Sequence, residues 1–281
     1  MNPAIARGLI ALNNRFYADH AASFSATRSA PWAGWSRLAD ELKRRGWDAP
    51  ENTGRSVLDL ACGNLRFERF LTQALPAVHL DFTAVDSCPE LAAVSGAPGA
   101  PNMSSVTCRQ LDILQFLLND SATTPNGQEG SPAAPLPRPR LAERPYDLAV
   151  CFGFMHHAPG ADLRYRLLDL LMDSVAPGGF VAISFWQFMD DRRLAAKAAH
   201  AGASVEEYPP FPDFSPSSLD KNDHFLGWQE DHRPLRYCHH FDEREIDALV
   251  AHATSRAREL ARWSADGSSG TLNRYLLLQR S

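Results

Sequence analysis

The chain is poor in cysteine, with five in 281 residues and no CxxC pair. The scattered positions (Cys62, Cys88, Cys108, Cys151, Cys238) and the odd count argue against a disulfide framework or a cysteine-rich zinc site. A reducing, cytoplasmic setting is therefore expected. No run of about 18 uncharged apolar residues occurs, which argues against a transmembrane helix and against membrane association. The first residues hold a short apolar patch without a small-residue cleavage site, so no signal peptide is expected. Positive charge is not in excess. Lys+Arg is 28 against 33 for Asp+Glu, a net charge of −5, which disfavours a protein that coats nucleic acid by charge alone but leaves room for a local basic mouth. The sequence also lacks GxGxxG, GxxxxGK[ST] and GxSxG. Those absences speak against a dinucleotide fold, a P-loop and a nucleophile elbow.

What is present is an ordinary globular composition, 44% apolar and 22% charged, on a chain long enough to bury a full core. Prolines number 20 and crowd into residues 119–145, a stretch nearly free of large apolar side chains. Such a segment cannot bury enough surface to offset its ordering entropy, so it is expected to be a disordered insertion within one domain. Its Arg138, Arg140 and Arg144 read as a solvated linker or as contacts to RNA phosphates. A second proline-rich stretch, 207–225, carries three phenylalanines and is expected to be a loop that packs on something.

Between these segments apolar runs alternate with helical spacing. Strands are predicted at 56–62, 79–86, 105–111, 146–152 and 180–186, and helices at 65–75, 89–94 and 161–176. The tail predicts a helix at 242–254 and strands at 258–264 and 273–279, joined tightly through Asp266-Gly267-Ser268-Ser269-Gly270. The fold class that follows is α/β, a doubly wound and mostly parallel seven-stranded sheet with an antiparallel edge hairpin. Residues 1–53 are expected to form a helical lid segment and 54–281 the main domain.

Ligands of such sheets bind beyond the carboxyl ends of the strands. The first strand ends in Asp59-Leu60-Ala61-Cys62-Gly63-Asn64, a tight turn into a helix. The second ends in Asp86-Ser87, 23 residues after Gly63, a spacing close to that of a ribose-binding acid. The third ends in Asp112-Ile113, the fourth in Phe152-Gly153-Phe154-Met155-His156-His157 and the fifth in Trp186-Gln187. Any one of these aspartates alone is more often a helix cap or turn residue. Three in register after successive strands point to a nucleoside-bearing ligand.

DLACGN, TAVD, QLD, YDLAVCFGFMHH and VAPGGFVAISFW, in this order, resemble a class I S-adenosylmethionine-dependent methyltransferase. The resemblance implies S-adenosyl-L-methionine as cofactor. It assigns to the cofactor Arg28, Asp59, Ala61, Gly63, Asn64, Asp86, Ser87, Asp112, Ile113 and Phe152. Ala61 and Leu65 stand where the family usually has the outer two glycines of its first turn; Leu65 falls at the helix start, where a side chain can point away.

A narrower resemblance lies in FYADHAASFSATRSAPW (16–32), in Met155-His156-His157 and in Arg236-Tyr237-Cys238-His239-His240-Phe241. These are similar to segments of the tRNA wobble-uridine carboxymethyl O-methyltransferases, which methylate the carboxylate of 5-carboxymethyluridine in the anticodon loop. That family implies tRNA as partner and, for its eukaryotic members, a small zinc-containing activator subunit. A carboxylate acceptor is ionised already, with a pKa of about 4, and needs a cation or donors to hold it rather than a base. His157 and Arg28 are the candidate catalytic residues, with Arg28 also able to hold the cofactor's own carboxylate. Trp32, Trp186, Arg236, Tyr237 and His239 are candidate acceptor contacts, each with a packing role as its alternative. No metal is expected, because adjacent histidines do not easily share one ion. Asn/Asp-Pro-Pro-aromatic is absent after the fourth strand, which suits an oxygen acceptor. Two rivals stay open: a small-molecule O-methyltransferase, and a non-catalytic cofactor-binding partner subunit.

Overall fold

The computed structural model describes residues 1–49, 54–93, 102–122, 141, 144–228 and 231–281. Helix α1 (Pro3–Ala26) starts on Asn2, whose side chain accepts from the Ala4 N–H, and has a proline in its first turn. Its buried stripe, Ile5, Leu9, Ile10, Asn13 and Phe16, follows helical spacing with one polar member, Asn13. Helix α2 (Ala33–Arg44) buries Trp35, Leu38, Ala39 and Leu42 and closes on Lys43 and Arg44, which suit the negative end of its dipole. These two helices are the lid segment expected over 1–53; residues 50–53 at its end lie outside the described residues.

Strands and helices then alternate: β1 (Gly54–Leu60), α3 (Arg66–Ala74), β2 (His79–Asp86), α4 (Pro89–Ala93), β3 (Met103–Gln110), α5 (Ile113–Ala122), β4 (Tyr146–Cys151), α6 (Ala161–Ser174), β5 (Val175–Trp186) and α7 (Arg192–Glu207). A separate antiparallel hairpin follows, β6 (Asp223–Trp228) and β7 (Asp231–His239), then α8 (Glu243–Ala253), β8 (Ala257–Ala265) and β9 (Asn273–Arg280). The main sheet has the order β3-β2-β1-β4-β5-β9-β8, with β9 antiparallel to both neighbours and the other pairs parallel. The expected seven-stranded architecture with its antiparallel edge pair is the one present. Strand order reverses between β1 and β4, and that is where a ligand crevice opens in such sheets.

The central strands are buried on both faces, because alternate side chains feed two cores. Leu58 and Leu60 face one core with Leu167, Leu171, Ile246 and Leu276. Val57 faces the other with Trp35, Leu38, Phe67 and Leu71.

Four elements depart from the sequence expectation. Strand β5 begins at Val175, upstream of the expected Phe180, and the Pro177-Gly178-Gly179 segment falls where its register with β4 shifts, so those residues make an irregularity inside a strand. Helix α5 occupies residues 113–122, partly inside the expected insertion; residues 123–140 and 142–143, with Arg138 and Arg140, lie outside the described residues. Helix α7 and the β6–β7 hairpin were not foreseen. The phenylalanines of the second proline-rich stretch do pack: Phe211, Phe214 and Phe225 join Ile5, Leu9 and Tyr237 in a small core beneath α1. No helix among the described residues is long and apolar enough to cross a membrane.

Candidate active site

The carboxyl ends of the parallel strands open on one cavity of about 680 Å³, roofed by α1 and by the chain running from it into α2. The turn after β1 is left-handed at three alternate residues, with φ of 63° at Ala61, 55° at Gly63 and 56° at Leu65. Only glycine adopts this conformation freely. The turn is held by Ala61 N–H donating to the Val85 carbonyl at 2.7 Å. A Cβ at Gly63 would meet nothing within 4 Å, so this turn presents bare backbone to open space. Leu65 points the other way, into a small core with Cys62 and Ala84.

The three aspartates expected around a nucleoside all line the cavity. They also carry local duties. Asp86 accepts from the Gly63 N–H at 2.9 Å and from the Cys88 N–H at 2.8 Å, so it braces the glycine turn. Burial still pushes its carboxyl upward. Asp112 caps α5, accepting from the Gln115 N–H at 2.9 Å, and takes a second bond from Asn14 Nδ2 at 2.6 Å. Its neighbour Ile113 is buried against the cavity wall. Asp59 is 2% exposed and stands beside the fully buried Glu68 of α3. Burial pushes Glu68 up to about 7. Burial and the Glu68 and Asp86 charges push Asp59 well upward too. At neutral pH this carboxyl pair therefore retains a proton.

The expected cofactor residue Asn64 clamps the roof. Its Nδ2 donates to Ser25 Oγ at 3.0 Å and to the Arg28 carbonyl at 3.1 Å. Arg66 adds a bond to the Ala30 carbonyl at 2.8 Å, with its guanidinium 5.1 Å from the Trp32 ring and 5.0 Å from Trp35. Trp32 lies against Gly153, where a Cβ would come within 2.7 Å of the indole. Phe152 packs edge-on against Phe67 at 5.0 Å, and Ser87 borders the cavity beside Asp86. The Arg28 guanidinium sits 4.6 Å over the Phe24 ring, and burial together with the Arg236 charge lowers its pKa.

Beyond β4 and β5 the wall turns aromatic and cationic. Arg236, from β7, is 8% exposed, and its guanidinium is ringed by Phe16, Trp186 and Trp228 at 5.3, 5.5 and 5.6 Å. Its Nε has no hydrogen-bond partner, and no carboxylate pairs with it among the described residues. His156 packs between His157 and Trp186, with ring centroids 4.0 and 4.8 Å away.

Three expected acceptor-side residues are placed differently. His157 lines the cavity but both its ring nitrogens are engaged by protein groups: Nε2 lies 2.8 Å from the Tyr17 hydroxyl, and Nδ1 lies 3.0 Å from both Asn13 Nδ2 and the Tyr237 carbonyl. Burial pushes its pKa down to about 3, so it is neutral. Tyr237 and His239 lie outside the cavity. Side chains alternate along β7, so the strand that turns Arg236 inward turns these two outward. There the Tyr237 hydroxyl donates to Asp223 at 2.7 Å, and His239 bridges Asp223 at 2.6 Å and Glu245 at 2.9 Å.

Sequence reasoning passed over Asn13, Tyr17 and Trp228. The available signal was Asn13, a polar residue on the apolar stripe of α1, with Tyr17 one turn further on the same face. One group among the described residues has metal-ligand proximity: His156, His157 and Cys238, whose ligand atoms lie within 4.8 Å of one another. Burial pushes the Cys238 thiol up to about 12 and His157 is already engaged, so an ion would have to displace existing bonds.

A family model described as a methyltransferase domain matches residues 31–253. No curated protein matches. Among solved structures, an S-adenosylmethionine-dependent methyltransferase from Methanosarcina mazei is 13% identical, with 81% of this chain and 92% of that chain covered and a TM-score of 0.52. Magnesium protoporphyrin IX methyltransferase from Synechocystis PCC 6803, with S-adenosylhomocysteine bound, is 14% identical over 88% of this chain and 84% of that one, with a TM-score of 0.49. At such identities the likeness to the first concerns the fold.

Proposed function

This chain belongs to the methyltransferase domain family, and from that premise we propose that it methylates a carboxylate oxygen, with the carboxylate of 5-carboxymethyluridine at the tRNA wobble position as acceptor. S-adenosylmethionine is the donor; when bound it supplies an electrophilic methyl on a cationic sulfur, and its transfer forms one C–O bond, breaks one S–C bond and requires no proton to move. The turn 61–65 and the Asp86 and Asp112 carboxyls fit a ribose and adenine at the strand ends, since each carboxylate keeps unused acceptor capacity beside the two bonds it already accepts. The acceptor then lies toward β4 and β5.

The observation that carries the reading is Arg236. A guanidinium that is buried, ringed by aromatic rings and unmatched by any acid among the described residues is costly unless a ligand completes it. A carboxylate is the anion whose two oxygens match its planar fork. Arg28 adds a second cation to the same wall. Trp186 and Trp228 offer faces on which a nucleobase can stack. Arg193 and Lys197 of α7 line the same cavity and suit flanking phosphates. The resemblance also implies a small zinc-containing activator subunit, for which β3, the end strand of the sheet among the described residues, offers a pairing edge.

A small-molecule carboxylate is the second reading, favoured by the net charge of −5. Mass spectrometry of tRNA nucleosides from cells with and without the gene separates the two. Loss of an alkali-labile methyl ester on the wobble uridine, with the free acid accumulating, is the expected result; an unchanged nucleoside profile would exclude tRNA as acceptor.

A further inference from the structure

The lysines and arginines that line the cavity among the described residues are Arg28, Arg66, Arg193, Lys197 and Arg236. Arg28 and Arg236 feel each other's charge on the acceptor side, and Arg193 and Lys197 belong to α7. Arg66 belongs to the cofactor turn: it is the first residue of α3, directly after the left-handed Leu65. Its guanidinium packs on the Trp32 and Trp35 rings, and its Nη1 donates to the Ala30 carbonyl, but its Nε has no hydrogen-bond partner. The Asp266 charge reaches Arg66, yet Asp266 spends its oxygens on the Gly34 N–H, the Asn273 amide and the Tyr275 hydroxyl. No acid forms an ion pair with Arg66 among the described residues. Trp35, 3% exposed, also lines the cavity and leaves its indole N–H without a partner. Leu65 gives α3 no side-chain cap, so the positive end of the helix dipole lies open at the same place. Burial and the Arg28 charge push Arg66 down to about 10, so it stays charged at neutral pH.

Adenine and ribose fitted at Asp112 and Asp86 leave the amino-acid end of the donor on the other side of the turn, toward the start of α3. That end carries the donor's one anionic group, a carboxylate. We propose that Arg66 binds this carboxylate, leaving Arg28 and Arg236 to the acceptor. The inference deepens the cofactor site and rests on the placement of the adenosine. A guanidinium already seated on two indoles and tied to a backbone carbonyl loses little freedom when it takes up an anion, and its planar fork matches two carboxylate oxygens. Arg66 then joins ligand and roof, since the same side chain holds Ala30.

The test needs no acceptor. Calorimetry compares S-adenosylhomocysteine with its decarboxylated analogue, which keeps the adenosine and the amine and lacks only the carboxylate. The unmodified protein should bind the first more tightly, and the ratio of the two affinities reads the carboxylate contact. Arg66→Met should cut that ratio about 10–100-fold, the loss of hydrogen bonds to a charged group. A roof loosened by the lost Ala30 bond weakens both ligands alike and cancels in the ratio. Arg28→Met should leave the ratio nearly constant. Arg66→Lys keeps the charge and loses the fork, so it should cut the ratio about 3–10-fold, and it decides the matter if Arg66→Met does not fold. An unchanged ratio in the Arg66 variant overturns the proposal; a ratio that collapses in Arg28→Met instead assigns the carboxylate to Arg28. Asp86→Asn tells this failure from a misplaced adenosine. With the ribose at Asp86 both affinities fall together and the ratio holds. A ratio that collapses in Asp86→Asn places the amino-acid end there and overturns the placement and the proposal at once.

Discussion

At the β1–β2 end of the cavity the protein gathers the buried Asp59 and Glu68 and the half-buried Asp86 behind a backbone turn. At the β4–β5 end it gathers Arg236, two neutral histidines and a shell of aromatic rings, with Arg28 beside them. The acidic end is nearly self-sufficient: Asp86 bonds two backbone N–H groups, and Asp59 and Glu68 hold a proton against each other. The cationic end is incomplete, because Arg236 has aromatic faces around it and, among the described residues, no counter-charge. A donor carrying a ribose and a positive sulfur suits the first end, and an anionic acceptor suits the second. In-line transfer requires the two to meet, and the single cavity joins them.

The comparison breaks most sharply at Arg236. Arg236→Met should lower kcat/KM by about 10²–10³-fold, since it removes the charged partner of the proposed carboxylate acceptor. Affinity for S-adenosylhomocysteine, measured by calorimetry, should change less than threefold. The melting temperature of the ligand-free protein should rise, because an unpaired buried charge gives way to apolar packing. A fall in both affinities would mean that the two ends are not separable.

Asp86→Asn tests the acidic end. An amide oxygen can keep one of the two backbone bonds, but the NH₂ then faces an N–H donor at 2.8–2.9 Å. The glycine turn loosens and an acceptor for ribose is lost. Cofactor affinity should fall about 10–100-fold, with the KM for the acceptor at saturating cofactor nearly constant.

The two ends also predict opposite pH dependences of stability. Folded Glu68 keeps its proton up to about 7, whereas an unfolded glutamate releases it near about 4.3. Between those values the native state binds more protons, so this group's contribution is complete below the lower one and is lost as pH rises through the upper one. The Asp86 charge reinforces the shift, whereas a hydrogen bond with Asp59 and the Arg69 charge oppose it. His156 and His157 act with the other sign. Burial lowers both, so their contribution holds above about 6.5 and is lost as pH falls toward the folded value, about 3 for His157. Glu68→Gln should therefore raise stability at pH 8 by about 1–2 kcal/mol and leave it nearly unchanged at pH 4, read from denaturant melts at both values. Equal gains at both pH values would show that packing, not the proton, is responsible.

The cavity's two halves differ in how far the sequence alone reveals them. The acidic half follows from short-range pattern: apolar strands β1 and β2 end in aspartates, and the turn residues sit between them. What local pattern could not show is Glu68, which lies on the buried stripe of α3 with Phe67, Leu71 and Thr72 and meets Asp59 only once helix and sheet pack. The cationic half is assembled from far apart in the chain, α1, the end of β4 and β7. Strand β7 carries Pro234 and a mixed polar sequence, DHRPLRYCH, which hides its period of two. Without that period Arg236, Tyr237 and His239 read as one contact set. With it, only Arg236 turns to the cavity, and Tyr237 serves the site through its backbone alone. Asp112 shows the reverse case, where the local reading as a helix cap and the reading as a cavity residue hold together.

The smallest effect sits on the turn between the halves. Ala61 and Leu65 both carry side chains at positive φ, a conformation that strains an L-residue by about 1–2 kcal/mol. Leu65 offsets its strain by burial: it is 2% exposed in the core with Cys62 and Ala84, and glycine there would forfeit that packing. Ala61 has far less to lose, being only half-buried with a single methyl, and its side chain borders the cavity. Ala61→Gly relieves the strain but gives the unfolded chain more freedom, worth about 0.4–1 kcal/mol. The balance is a gain of about 0.5–1 kcal/mol, a rise of a few degrees at most in the melting temperature. Calorimetry with S-adenosylhomocysteine should show equal or tighter binding, since the methyl no longer stands beside the ligand's path along the turn. Weaker binding would mean that the Ala61 methyl is itself a contact, and that this turn grips its ligand by side chain as well as by bare backbone.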